Sequence, residues 1–205
     1  MEKKNKADFK YWLKNVFWYH YGKLAIAAVI ALGVVIWLTV DALKKEEYDL
    51  NVAIVMEDGI AQSDTRALAD LLGAAAGDVN GDGKTLVNIM TVNLGDTENL
   101  ETSQYQMLLY MSLPEYTIFI MNEHYSAIYG QKDGTFQTLA DYGIETADEI
   151  PTRIDLSEKA ILKALGEREY YASLSDWTVD GKGSREMTEA AVRALKALAD
   201  SPDAK

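Results

Sequence analysis

The chain has 205 residues, of which 48% are hydrophobic and 25% charged, with a net charge of -12 and no cysteine. Such a length holds one ordinary domain plus attachments, the composition excludes a disordered chain, and the missing cysteine excludes disulfides, a thiol nucleophile and a lipid-modified cysteine. The charge is uneven. Residues 1–23 carry six lysines against Glu2 and Asp8, whereas from Glu46 onward 12 basic and 29 acidic residues give -17, a balance that argues against nucleic acid as a partner.

Residues 1–22 form an aromatic and basic segment in which Trp12, Phe17, Trp18, Tyr19 and Tyr21 interleave with Lys10 and Lys14. Rings at headgroup height and lysines toward anionic lipid describe a cytoplasmic, interfacial segment. Leu24 to Val40, LAIAAVIALGVVIWLTV, is uncharged over 17 residues. At about 1.5 Å per residue it covers roughly 26 Å, close to a bilayer core, and residues 23–43 are expected to be a transmembrane signal-anchor helix. The lysine excess before it places the N-terminus in the cytoplasm and the C-terminal domain outside the cell membrane. A cleaved signal peptide is the alternative, with Val40-Asp41-Ala42 as a small-x-small site; the length of the apolar run favours the anchor.

Residues 44–49 are a charged connector, and residues 50–205 are expected to fold as a single extracytoplasmic α/β domain. Asp49 to Met56, Thr85 to Leu94 and Tyr116 to Asn122 are short, β-branched and nearly continuously apolar, as strands covered on both faces are. Between the first two, Leu68, Leu71, Leu72 and Ala75 recur at helical spacing, with Ser63 as cap and Gly77 as stop. Between the second and third, a helix ending at Pro114 places Tyr105, Leu108, Leu109 and Met111 on one side. Strands alternating with helices imply a mainly parallel sheet with crossover helices. Further on, short helices end at Gly130 and Gly143, strands are expected in TRIDLS and REYYASLSDW around a helix stopped at Gly166, and a last helix runs from Ser184 to Ala199 with Met187, Ala191, Ala194 and Leu198 inward.

The stretch from Glu115 to Gly143, EYTIFIMNEHYSAIYGQKDGTFQTLADYG, resembles part of the extracellular solute-binding proteins of ABC importers: an apolar strand, a polar turn opening a helix, a glycine and an L-x-x-Y-like stretch. The likeness covers about thirty residues and implies a single-lobe, membrane-anchored relative, because those proteins close two lobes over a ligand. The layout of aromatic segment, one span and acidic domain is also similar to that of uncharacterised membrane proteins of Gram-positive anaerobes.

Two groups of residues suit binding. Asp78, Asn80, Asp82 and the Lys84 carbonyl stand at positions one, three, five and seven of an EF-hand-like loop with Gly83 at the sharp turn, a pattern that suits weak, structural Ca2+. Position twelve is Ile89, and Asn80-Gly81 with Asp82-Gly83 equally forms a metal-free turn between helix and strand. The second group follows from topology, since open parallel sheets bind ligands beyond the carboxyl ends of their strands. There lie Glu57 and Asp58, Asn93 and Asp96, and Asn122, Glu123, His124 and Tyr125, an acidic lining that favours a cation, an amine or a polyhydroxyl ligand. Signatures of cysteine, serine, phosphate-loop and zinc enzymes are absent from the sequence. The expected function is therefore non-enzymatic binding of a small solute or partner protein, with a surface hydrolase using Glu123 and His124, or an accessory subunit of a membrane transport complex, as alternatives.

Overall fold

A computed structural model of the chain describes residues 11, 12, 15, 17–44, 47–57, 60, 65–132, 134–146, 149–163, 165, 166, 169–176 and 185–204. Two compact units divide it, Met1–Glu46 and Glu47–Lys205.

The first unit is dominated by the helix α1, Trp18–Lys44. Its stretch Trp18–Thr39 is long and apolar enough to cross a membrane; 22 residues at about 1.5 Å each reach roughly 33 Å. Leu24, Val29, Ile30, Leu32, Val35, Trp37 and Leu38 all lie on its exposed surface, so its hydrophobicity serves no internal core. The Thr39 hydroxyl donates to the Val35 carbonyl at 2.7 Å, which satisfies the one hydroxyl of the apolar run within the helix itself. Before the span, Trp12, Phe17 and Tyr21 follow one another with ring centroids 5.8 Å apart at each step. Lys10 and Lys14 lie outside the described residues.

The second unit is a five-stranded sheet in the order β2-β1-β3-β5-β4. Its elements run β1 (Leu50–Met56), α2 (Arg66–Ala76), β2 (Val87–Asn93), α3 (Leu100–Ser112), β3 (Tyr116–Met121), α4 (Glu123–Gly130), a 3-10 turn (Leu139–Tyr142), β4 (Arg153–Asp155), α5 (Ala160–Lys163), β5 (Tyr171–Leu174) and α6 (Arg185–Ala199). Strand β1 lies parallel to both β2 and β3, as the alternation of strands and helices leads one to expect. The last pair departs from the parallel pattern: β5 is antiparallel to β3, and β4 antiparallel to β5. Between β4 and β5 the one helix, α5, makes a single turn.

Each sheet face has its own core. On one side Val52, Ile54, Ile118 and Ile120 pack with Leu68 and Leu72 of α2 and with Ala191, Ala194, Leu195 and Leu198 of α6. Arg193 of α6 donates to the Ala75 and Ala76 carbonyls, placing a cation on the otherwise unpaired carbonyl end of α2. On the other side Val55, Val92, Phe119 and Met121 pack with Met107 of α3 and with Phe136.

The inward face of α3 corrects the sequence expectation. Ser103 and Met107 are buried, while Tyr105, Leu108 and Leu109 are 69%, 55% and 40% exposed. Of the expected side only Met111 packs against the core; the helix is apolar on both sides, so periodicity alone does not select the buried stripe. Gly77 closes α2 as expected, with its N–H on the Gly73 carbonyl at 3.0 Å; the expected cap Ser63 and the helix start Ser184 lie outside the described residues.

Candidate functional site

Parallel strands gather their carboxyl ends at one end of the sheet, and the strand order reverses between β1 and β3, the position where open parallel sheets bind ligands. Glu57 follows β1, Asn93 ends β2, and Asn122 follows β3. Asp58 lies outside the described residues. The loops after β1 and β2 touch: a Cβ on Gly95 would collide with the Glu57 carbonyl oxygen, so this position takes glycine for want of space rather than for turn geometry.

Three of the expected ligand residues spend their oxygens on their own backbone. Asn93 Oδ1 accepts the Gly95 N–H at 3.0 Å. Asp96 Oδ1 accepts the Glu98 N–H at 3.0 Å and Oδ2 the Asn99 side-chain amide at 2.9 Å. The amide of Asn99, then the backbone of Glu98, hold the Asp96 carboxyl below its ordinary value. Asn122 Oδ1 accepts the Tyr125 N–H at 3.0 Å and caps α4.

The remainder point to solvent. Glu57, Glu123 and His124 are exposed and Tyr125 is half-buried, with the His124 ring edge-on to Tyr125 at 5.1 Å. Burial, then the Glu57 carboxylate, raise the Tyr125 phenol above its usual range. An open depression of about 590 Å3 runs along the outer side of α4, lined by Glu123, His124, Ala127, Ile128 and Gln131.

The antiparallel strands add residues to this edge that sequence reasoning missed. Because β5 starts where β3 ends, Tyr171 pairs with Met121, and Asp155 pairs with Tyr171. The Glu123 carboxyl, by hydrogen bonding and by charge, followed by burial and the charge of Asp155, raises the Glu169 carboxyl above its ordinary 4.5. Arg153, buried at 5% exposure, stacks over the Tyr171 ring at 4.1 Å and donates to the Ser126 hydroxyl at 3.3 Å. The Tyr171 phenol is itself raised, first by burial and then by Asp155, with Arg153 opposing. The pairing thus brings Asp155, Glu169 and Tyr171 to the end of the sheet where β3 gives way to Asn122 and Glu123. The only signal for this in the sequence was the direction of β5, which no periodicity encodes.

The loop of Asp78 to Lys84 lies at the opposite, amino edge. Asp78 Oδ1 and Oδ2 accept the N–H groups of Gly81 and Gly83 at 2.7 and 2.9 Å, Asn80 Oδ1 that of Asp82 at 2.9 Å, and Asp82 Oδ1 that of Lys84 at 2.8 Å. Beneath them Asp49, 1% exposed, accepts the N–H groups of Val79, Asn80 and Leu86 at 2.8, 3.1 and 2.7 Å. The sequence reading assigned Asp49 to the connector; it is the carboxylate that ties the loop to β1. Among the described residues, no three histidine, aspartate or glutamate side chains are grouped so as to hold a metal ion.

No protein-family model, curated protein or solved structure matches this chain.

Proposed function

We propose that this is a single-pass membrane protein whose acidic α/β unit lies outside the cytoplasm and binds an amine-bearing solute at the carboxyl edge of its sheet. The observation that carries this reading is the strand pairing of Met121 with Tyr171 and of Tyr171 with Asp155, which brings Glu123, Asp155 and Glu169 to the same end of the sheet. Carboxylates gathered at one end of the sheet repel, and a protonated amine relieves that repulsion. The lysines before α1 and the acidic balance after it support the outward orientation. The likeness of Glu115 to Gly143 to solute-binding proteins is in keeping with a small solute as ligand.

The protein purified whole in mild detergent and examined by native mass spectrometry is expected to carry a small cationic molecule, lost in the double variant Glu123→Gln, Glu169→Gln. An amine that leaves the complex chemically altered would favour the hydrolase reading, which rests on Glu123 and His124. A bound molecule retained by the double variant would move the site elsewhere.

A further inference from the structure

We propose that the outer edge of β2 pairs with the same strand of a second copy of this chain, so that two folded units share one continuous sheet. Strand β2 ends the sheet, and among the described residues no strand pairs with its far side. Edge strands are normally blunted by shortness, charge or proline, since their free N–H and C=O groups otherwise template further pairing. The other edge follows that rule: β4 has three residues and carries Arg153 and Asp155. Strand β2 does not, with seven residues, VNIMTVN, and neither charge nor proline.

The direction of its free groups suits an antiparallel copy. The Leu86 carbonyl accepts from Asp49 and the Leu94 N–H donates to Met56, so even-numbered residues turn their backbone groups toward β1. By alternation Val87, Ile89, Thr91 and Asn93 turn theirs outward. In an antiparallel pairing centred on Met90, Val87 meets Asn93 and Ile89 meets Thr91, so that every outward N–H faces an outward carbonyl. Met90 then meets itself on the two-fold axis, in a close pair without backbone bonds. Apart from the Met90 pair, the side chains brought opposite one another are β-branched or amide, favourable or neutral as cross-strand pairs.

Charge selects the same partner. Each copy carries -17 beyond Glu46, yet Thr85 to Gly95 contains no charged residue, and neither does Thr102 to Pro114 of the α3 segment that follows. Two such units repel when acidic faces meet, and the β2 edge is where they approach without that cost. A basic partner would be drawn to the acidic loops instead, which leaves a second copy as the fitting occupant.

The lack of cysteine makes a direct test simple. The full chain in detergent, with Met90→Cys as its one thiol, is oxidised and compared with Ala74→Cys on the exposed side of α2. Opposed residues of a close antiparallel pair lie about 4.5 Å apart between Cα atoms, within disulfide reach. The expected result is a disulfide-linked dimer formed roughly tenfold more by Met90→Cys than by Ala74→Cys, and suppressed when Thr91→Lys places a charge on the edge. Thr91→Cys, whose side chain is exposed, keeps the test open should Met90→Cys fold poorly: its two copies lie roughly 8 Å apart on the diagonal, the reach of a short bis-maleimide. Equal cross-linking of Met90→Cys and Ala74→Cys would mean association through α1 or by chance collision, and would overturn the proposal. Monomers under both cross-linkers would overturn it as well, and would leave the edge to an extended segment of another protein.

Discussion

Asp49 shows how much of this unit rests on single carboxylates. Its side chain is buried and accepts three backbone N–H groups from a loop about thirty residues away. Asp49→Ala strands those donors and is expected to cost about 3 kcal/mol in a urea denaturation, whereas Asp78→Ala, on the exposed part of the same loop, should cost under about 1 kcal/mol. The loop oxygens already accept backbone N–H groups, so millimolar calcium is expected to leave the thermal midpoint unchanged; a rise abolished by Asp78→Ala and Asp82→Ala would establish a metal site instead. At the other edge, Glu169 has its carboxyl raised by Glu123 and Asp155. Its proton-dependent contribution to stability is full below the ordinary 4.5 and is lost as the pH rises through the raised value, where two carboxylates begin to repel. The urea midpoint should fall across that window in the native chain and fall less in Glu169→Gln.

Among the elements, α3 separates what periodicity can tell from what only packing decides. Burial falls on Ser103 and Met107, while the leucine pair faces outward. Met107→Ala is expected to destabilise by about 2–4 kcal/mol and Leu108→Ala to change stability by under about 0.5 kcal/mol in the same denaturation series. Equal losses would return the leucine face to the core. The strands β1, β2 and β3 were legible because each is a short, β-branched and largely apolar run flanked by turn residues. Asp155, Glu169 and Tyr171 were not recognisable as site residues, since their meeting with Glu123 depends on β5 running antiparallel to β3. The His124 reading fared differently: it was visible as a lone imidazole at a helix start, and it is exposed beside Tyr125 rather than set within the carboxylate group.

At the scale of the whole molecule, the amino-acid order separates two tasks. A long apolar helix has exposed aromatic neighbours, and an acidic α/β unit gathers Glu123, Asp155 and Glu169 at one end of its sheet. The positive-inside bias leads us to expect that protease added outside intact cells digests Glu47 to Lys205 and spares the N-terminal lysines; the reverse pattern would invert the orientation. The central claim, an amine site at the carboxyl edge, is tested most directly by calorimetric titration of the full chain in detergent with spermidine. Saturable binding is expected, weakened about tenfold or more by Glu123→Gln or Glu169→Gln and left unchanged by Asp78→Ala, which alters charge by the same amount at the amino edge. Absence of saturable binding, or an equal loss in all three variants, would contradict it, because the acidic unit would then attract cations only through its overall charge.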